Sequence, residues 1–198
     1  MMNVSDLDQY IRPNSVVVSS IEKEKIPQEF HNKSFFMHRG IAEKDSAFKQ
    51  IIPYMCIIYE DFIFLTNRKT TQAESRLHNK FSIGVGGHIN NFDVKNVDNV
   101  IYTGMLRELN EEVLINNNDI STIIPLNLIS DDTTEVGKVH LGILFKVVLK
   151  NLNCDVHETD KMEGRWEKIE NIKNYYDNME SWSQIILDYS LLDISYGA

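Results

Sequence analysis

Three glutamates and one arginine stand together in the segment RELNEE, residues 107–112. If this segment is helical, Glu108, Glu111 and Glu112 fall within an arc of about 100°, and Arg107 lies next to Glu111. Like charges three and four residues apart on a helix repel by roughly 0.2–0.5 kcal/mol per pair. Carboxylate oxygens are also the ligands that Mg²⁺ takes, usually together with substrate phosphates and several waters. The pattern therefore indicates either a solvated acidic face or a divalent-cation site.

A glycine-rich turn just before this segment favours the cation site. Gly84, Gly86 and Gly87 interrupt the strand-like run FSIGVGGHI, where glycine would weaken an ordinary strand. Glycines at such positions indicate a bulge or a close approach of the backbone to another group. The absence of side chains there leaves room for a polyphosphate, which would bind together with the cation.

The carboxylates require a helix to position them, and we predict that this helix runs from about Asp98 to Ile115. Its apolar residues recur at the spacing of a buried stripe, and they are Tyr102, Leu106, Leu109 and Val113. The carboxylates would then occupy a face distinct from this stripe. Asparagines at 116–118 would end the helix, because asparagine tolerates the left-handed conformation found there.

Strands are predicted on both sides of this helix. The runs IPYMCIIY and FIFLTNR flank Glu60 and Asp61 and predict a β-hairpin. SVVVSSI, TIIPLNLIS and KVHLGILFKVVL predict further strands. A short strand and a helix built on Trp182, Ile185, Ile186 and Tyr189 are predicted at the carboxyl end. Strands before, between and after two helical segments indicate an α+β fold with a mixed sheet.

Composition limits the function classes. The 198 residues suit one domain with extensions, and 42% hydrophobic and 25% charged residues are typical of a soluble globular chain. The net charge of −9 argues against a broad nucleic-acid or anionic-membrane surface. No segment resembles a signal peptide or a membrane span, and Cys56 and Cys154 lack metal-ligand spacing. We expect a cytoplasmic protein without nucleic-acid or membrane partners.

The segment GVGGH followed by RELNEEVLI resembles the signature of the Nudix hydrolases, which is Gly, five residues, Glu, seven residues, Arg-Glu-apolar-x-Glu-Glu-x-Gly-apolar. Residues 107–112 match at every specified position. FKQIIPY, RLHNKFSIGVGGH, VHLGILF and ESWSQ resemble a bacterial subgroup of Nudix-type phosphoesterases, over about residues 35–190. The resemblance implies a three-layer α/β/α Nudix sandwich with a mixed β-sheet over residues 35–198. Residues 1–34 would be an amino-terminal extension packed on the core.

The chain departs from the signature in three ways. Gly87 lies twenty residues before the signature arginine instead of fourteen, which implies an insertion of about six residues. Counted back from that arginine, the upstream signature glutamate falls on Asn99, and Asp98 or Asp93 would have to substitute for it. The late signature glycine is Leu114 here.

The resemblance implies an enzyme that uses Mg²⁺ or Mn²⁺ to hydrolyse a phosphoanhydride bond in a nucleoside diphosphate linked to another group, or in a related organic pyrophosphate. Glu108 and Glu112 would be metal ligands, and Glu111 a further ligand or a base for water. Arg107 would orient Glu111. The partner would be a small nucleotide or organic diphosphate, and homodimers are common in the family.

Residues outside the helix would complete this site. In the family the last ligand or general base often comes from a separate loop. Glu135 in DDTTEVG is the catalytic candidate, with Glu158 and Glu163 as alternatives. The predicted substrate contacts lie around the glycine turn and the loop before it, and they are Arg68, Arg76, Gly86, Gly87 and His88.

Two other function classes remain open. A non-hydrolytic Nudix relative would be a ligand-binding module or an enzyme like isopentenyl diphosphate isomerase. Such sensors usually lose the glutamates, and the isomerases use a cysteine in the segment that here reads GVGGH. A structural protein with an acidic helix would leave the glycine turn unexplained. Hydrolysis of any compound in a nucleotide panel would separate the enzyme from both alternatives.

Overall fold

The computed structural model describes residues 1–22, 25–69, 80–94, 99–157, 159–160 and 162–192. Within these residues the strands are β1 (Met2–Asn3), β2 (Val16–Ser20), β3 (Phe48–Tyr59), β4 (Phe62–Arg68), β5 (Phe81–Ser82), β6 (Val85–Gly86), β7 (Val113–Ile115), β8 (Ile120–Asp131), β9 (His140–Leu149), β10 (Cys154–Val156) and β11 (Met162–Lys168). The α-helices are α1 (Gln28–Asn32), α2 (Arg39–Ala42), α3 (Val100–Glu112) and α4 (Ser181–Asp188).

The strands of the main sheet follow the order β11, β4, β3, β9, β8, β2, with β1 and β6 paired to β3 and β5 paired to β4. Both β11 and β3 run antiparallel to β4, and β2 runs antiparallel to β8. A separate small sheet joins β7 and β10. In the part of the chain that is described, no helix is long and apolar enough to cross a membrane. This organisation of sheet and helices confirms the predicted α+β class.

The chain divides into two compact units. The first comprises Met1–Tyr54, Gly86–Glu108 and Pro125–Phe145, and the second comprises Met55–Val85, Leu109–Ile124 and Lys146–Ala198. Residues 1–34 belong to the first unit, in which the side chains of Met2, Leu7 and Phe30 are fully buried. The predicted domain boundary at residue 34 stays a prediction.

The structure contains the predicted hairpin. β3 and β4 meet at Glu60 and Asp61, with Ile58 opposite Ile63. Glu60 adopts a φ of 51°, in the left-handed region that a tight turn requires. The hairpin was therefore predictable from two apolar runs and the two polar residues between them.

The helix predicted for residues 98–115 ends earlier than expected. α3 ends at Glu112, and Val113–Ile115 form β7, which pairs with β10. Pairing with β10 gives these backbone groups strand partners, and an extended strand suits β-branched side chains. Asn116 accepts a hydrogen bond from the amide of Asn118 and caps a short 3₁₀ segment, so the asparagines do not end α3.

The buried stripe of α3 also differs from the predicted one. Leu106 is 37% exposed, whereas Ile101, Met105 and Leu109 are buried. Glu108 is only 8% exposed, because it lies about 60° or less around the helix from Ile101 and Met105. We expected all three carboxylates to lie on a face distinct from the apolar one, and for Glu108 this expectation is wrong.

Candidate functional site

Arg107 is held by groups from the loop that precedes α3. Its Nε donates to Asp93 Oδ1 at 2.9 Å, and its Nη2 donates to Asp93 Oδ2 at 3.0 Å. Nη2 also donates to the carbonyl oxygen of His88 at 2.8 Å, while Nη1 donates to Glu108 Oε1 at 2.8 Å. A planar guanidinium that donates hydrogen bonds to several fixed acceptors has little freedom to move. Arg107 therefore ties the loop after Gly87 to the face of α3 that carries Glu108.

Asp93 is the partner that the signature spacing left undecided. It is 3% exposed and also accepts the backbone N–H of Asn90 at 2.7 Å. Asp93 lies six residues after Gly87, which is the interval between glycine and glutamate in the signature. Counting back from Arg107 reaches Asn99 instead, so the two ends of the signature give different positions in this chain.

Asn99 has another role in the structure. Its Oδ1 accepts the backbone N–H of Tyr102 at 3.4 Å, and its carbonyl oxygen accepts the N–H of Thr103. Asparagine is a favoured residue at this position because its side chain satisfies an amide at the start of a helix. Asn99 therefore caps the first turn of α3. The other proposed substitute, Asp98, lies outside the described residues.

The Asp93–Arg107 pair shifts the pKa of both groups. Burial acts to raise the pKa of Asp93, but the hydrogen bonds from Arg107 and the Asn90 amide outweigh it, and the pKa lies below its ordinary value. The same pair raises the pKa of Arg107, chiefly through the hydrogen bond to Asp93. Both groups are therefore charged at neutral pH.

We expect Asp93→Asn to lower the free energy of unfolding by about 1.5–3 kcal/mol at neutral pH, the range for hydrogen bonds to charged groups. The folded-state pKa of Asp93 is below its unfolded value. The stabilisation is thus present above about pH 4 and is lost as the pH falls through the folded-state pKa. Urea unfolding of both proteins across this range measures the difference, which should shrink in acid. A difference that does not change with pH would contradict the ion pair.

Glycine at position 87 allows the backbone to lie against Glu108. A Cβ atom on Gly87 would overlap the carboxylate of Glu108, and a Cβ on Gly86 would overlap the carbonyl oxygen of Pro53. At Gly86 the neighbour is backbone, so any side chain would block the close approach, whereas at Gly87 a side chain would displace the end of the Glu108 side chain. The Glu108 carboxylate is fixed between this turn and Arg107.

The other two carboxylates are more accessible. Glu111 is exposed and Glu112, at the end of α3, is half-buried. As the side chains stand, the described residues contain no cluster of three His, Cys, Asp or Glu side chains ready to hold a metal ion. The donor chemistry nevertheless fits a hard cation, since Glu108 and Glu112 lie one turn apart on α3 and the Glu108 carboxylate lies against Gly87. Mg²⁺ needs only one or two carboxylates and keeps several waters.

The remaining predicted residues have varied surroundings. Glu135 is 89% exposed and pairs with Lys138 at 2.6 Å. Arg68 ends β4, and Glu163 on β11 pairs with Lys69 at 3.1 Å. Arg76 and Glu158 lie outside the described residues. The catalytic role of Glu135, the substrate contacts and the orientation of Glu111 by Arg107 stay predictions.

Two residues that sequence reasoning missed lie in the same unit as Glu108. His140 places its Nε2 3.3 Å from Nε2 of His88, although the two are 52 residues apart in sequence. Lys49 is buried and its Nζ donates to Asp132 Oδ1 at 2.6 Å. It also donates to the carbonyl oxygens of Gly137 (2.7 Å), Lys138 (3.2 Å) and His140 (3.2 Å). No local sequence pattern marks either residue.

Comparison with known proteins gives two relatives of substantial identity. Protein YmaB of Bacillus subtilis (strain 168) is 44% identical over 156 residues, which cover 77% of this chain and 76% of that protein. The crystal structure of Tm1382, a candidate Nudix hydrolase, matches with a TM-score of 0.80 and 31% identity, and covers 96% of each chain. No family model matches the chain.

Two structures of low identity share the fold. One is a bifunctional NMN adenylyltransferase/ADP ribose pyrophosphatase from Francisella tularensis, solved with AMP and a manganese ion, with a TM-score of 0.53, 17% identity, and coverage of 74% of this chain and 42% of that chain. The other is the Nudix domain of Shewanella oneidensis NrtR, solved with ADP ribose, with a TM-score of 0.55, 11% identity, and coverage of 78% and 97%. With Tm1382, they confirm the predicted α+β Nudix sandwich with a mixed sheet.

Proposed function

Because the chain belongs to the Nudix hydrolase family, we propose that it uses Mg²⁺ or Mn²⁺ to hydrolyse a phosphoanhydride bond in a nucleoside diphosphate linked to another group, or in a related organic pyrophosphate. The observation that carries this proposal is the position of Glu108. Its carboxylate lies between the Gly87 backbone and the Arg107 guanidinium, which Asp93 holds from the other side. A helix with only a solvated acidic face has no need of this glycine turn or of a buried partner for its arginine.

In the proposed site, each residue on α3 and in the glycine turn would have a separate role. Glu108, Glu111 and Glu112 would hold the cation, with Glu111 also available as a base for water because it is exposed. When bound, a divalent cation neutralises phosphate oxygens and lowers the pKa of a coordinated water. Arg107 limits the motion of the Glu108 carboxylate through their 2.8 Å hydrogen bond. Gly87 keeps the approach to that carboxylate free of side chains.

We also propose that residues outside α3 contact the substrate and provide a second base. Glu135 lies on the loop between β8 and β9, in the acidic segment where Lys49 anchors neighbouring carbonyl groups. A solvent-exposed carboxylate on an anchored loop is able to accept a proton from water. Arg68, Arg76 and His88 would provide positive charge or hydrogen bonds to phosphate.

A substrate screen tests the proposal. The purified protein is incubated with Mg²⁺ or Mn²⁺ and a panel of nucleotide sugars, dinucleoside polyphosphates, nucleoside triphosphates and nucleotide coenzymes. We expect cleavage of at least one compound, loss of cleavage with EDTA, and recovery on addition of excess Mg²⁺. If no compound is cleaved but some raise the melting temperature, the chain is a ligand-binding member of the family.

We expect Gly87→Ala to lower kcat/KM on the compound found in this screen by about 10²-fold, the cost of misplacing a catalytic group by about 1 Å. The added methyl group would displace the Glu108 carboxylate. Gly40→Ala is the matched control, because a Cβ there meets nothing closer than the His38 ring at 3.5 Å. Steady-state kinetics on both folded variants measures the effect. Equal activity in the two would show that the Glu108 position does not matter for turnover.

A further inference from the structure

The ring of His140, in the first unit, has a fixed orientation and a fixed position for its hydrogen. Its Nδ1 lies 2.7 Å from the carbonyl oxygen of Val136, and a carbonyl oxygen only accepts, so Nδ1 carries the hydrogen. Its Nε2 lies 3.2 Å from the amide nitrogen of Gln50, and an amide nitrogen only donates, so Nε2 carries the lone pair. His140 is therefore a neutral ring that presents a hydrogen-bond acceptor at Nε2.

The same acceptor meets the ring of His88. The Nε2 atoms of the two rings are 3.3 Å apart, and the rings meet edge to face with centroids 5.5 Å apart. Two lone pairs at this distance would repel each other, so His88 Nε2 carries a hydrogen and donates it to His140. We propose that His140 is a positioning residue, which holds the Nε2–H of His88 so that this ring meets a phosphate oxygen of the substrate through Nδ1. The inference rests on the proposed function, in which His88 contacts phosphate.

This arrangement suits a histidine that binds phosphate with positive charge. A ring with both nitrogens protonated donates from each of them. In that form His88 donates Nε2–H to His140 and Nδ1–H to the phosphate oxygen, so both donors have acceptors. A hydrogen bond between a charged donor and phosphate is stronger than a bond between neutral groups. His140 therefore contributes to substrate binding through His88.

Two neighbouring residues of β3 hold His140 by its ring and by its backbone. Gln50, which is 3% exposed, donates to the ring. Lys49 Nζ donates to the carbonyl oxygen of His140 at 3.2 Å and to that of Gly137 at 2.7 Å. Hydrogen bonds of this kind lock the orientation of a side chain that must in turn orient another. The acceptor at Nε2 is therefore in place before a substrate binds.

The backbone of His88 is tied to the part of α3 that carries Glu108. Its carbonyl oxygen accepts a hydrogen bond from Arg107 Nη2 at 2.8 Å, and Arg107 Nη1 donates to Glu108. With its backbone held by Arg107 and its ring held by His140, His88 is restricted to one orientation relative to Glu108. That carboxylate is a proposed ligand of the cation, and Mg²⁺ usually binds together with substrate phosphates. His88 therefore connects His140 to the place where a phosphate would bind.

Two substitutions of His140 separate positioning from folding. Asparagine keeps a donor near the place of Nδ1 and has no acceptor at the place of Nε2, whereas the amide oxygen of glutamine reaches the place of Nε2. We expect His140→Asn to raise KM for the compound found in the substrate screen by about 2- to 10-fold, the range of one hydrogen bond, with kcat nearly unchanged. His140→Gln should restore most of the wild-type KM, and His31→Asn, on α1, is the matched control. Equal KM values in the asparagine and glutamine variants would overturn the positioning role.

A double-mutant cycle tests whether His140 acts through His88. In the His88→Ala background, His140→Asn should have no further effect on KM, because the ring that it positions is absent. Circular dichroism establishes that each variant is folded. If the screen finds no substrate, the affinity for inorganic pyrophosphate in the presence of Mg²⁺, measured by calorimetry, replaces KM in the same variants. An equal effect of His140→Asn in both backgrounds would overturn the inference.

NMR of the histidine rings tests the inference without a substrate and so separates its failure from that of the proposed function. Spectra that correlate ring hydrogens with ring nitrogens are recorded at about pH 8, above the ordinary pKa of histidine. We expect the hydrogen of His140 on Nδ1 and a hydrogen of His88 on Nε2. A hydrogen on His140 Nε2, or a neutral His88 with its hydrogen on Nδ1, would overturn the inference whatever the result of the substrate screen.

Discussion

Glu112→Gln is expected to lower kcat by at least about 10³-fold and to leave the chain folded. Glutamine keeps the shape of the side chain and removes the negative charge, so a metal ligand is lost without a cavity. Removing a single hydrogen-bond donor that stabilises transition-state charge commonly costs 10²–10³-fold in kcat, and a metal ligand supports a group that stabilises more of that charge. The effect should therefore exceed that of moving Glu108 with an alanine at Gly87.

The same change also removes two unfavourable electrostatic interactions of the Glu112 carboxylate in the metal-free protein. Glu112 is the last residue of α3, where a carboxylate faces the negative end of the helix dipole, an unfavourable interaction of about 0.3–1 kcal/mol. It also stands four residues from Glu108, and like charges at that spacing repel. Negative charge gathered at a helix end, which a bound cation would neutralise, is the expected property of a metal ligand.

Thermal unfolding with and without Mg²⁺ measures how much the bound cation stabilises the wild type and the variant. The wild-type melting temperature should rise with Mg²⁺, because a ligand that binds only the native state stabilises it, and the variant should show a smaller rise. Glu170→Gln is the control, an exposed glutamate on the segment Ile169–Asn178. Turnover by Glu112→Gln equal to that of this control would exclude Glu112 as a ligand.

The acidic helix could be predicted because its determinants are local. The helical period and the crowded glutamates both lie within one stretch of α3. Its end could not be predicted, because Val113–Ile115 extend as β7 to pair with β10, whose strand Cys154–Val156 comes about forty residues later. The exposure of Leu106 has a similar origin, since a periodic pattern does not reveal which of two apolar rows of a helix will be buried.

Asp93 shows how far a signature can be followed when its spacing changes. Counting back from Arg107 by the signature interval ends on Asn99, whereas counting forward from Gly87 ends on Asp93. Sequence alone gives no preference between the two counts, and the structure shows that Arg107 pairs with Asp93.

His140 and Lys49 could not be predicted because their partners are remote in sequence. Lys49 belongs to β3, and the groups it binds lie 83 to 91 residues later. Its position in an apolar strand would suggest a lysine that reaches solvent, yet its side chain is 1% exposed. A buried ammonium requires an acceptor for each proton, and the loop after β8 supplies them through backbone carbonyls that carry no sequence signal.

Lys49→Met is expected to lower the free energy of unfolding by about 3–5 kcal/mol, the usual cost of removing one partner from a buried ion pair. Methionine fills most of the space of the lysine stem but leaves the carboxylate of Asp132 and three carbonyl oxygens without the ammonium group. Lys33→Met is the matched control, because Lys33 pairs with Asp6 at 3.0 Å while half exposed. Exposed pairs of this kind contribute about 0–1 kcal/mol.

Urea unfolding of both lysine variants measures the difference, and a loss below about 1 kcal/mol for Lys49→Met would show that the loop does not depend on the ammonium group. One acceptor of Lys49 is the carbonyl oxygen of His140, so the ammonium group links β3 to the first residue of β9.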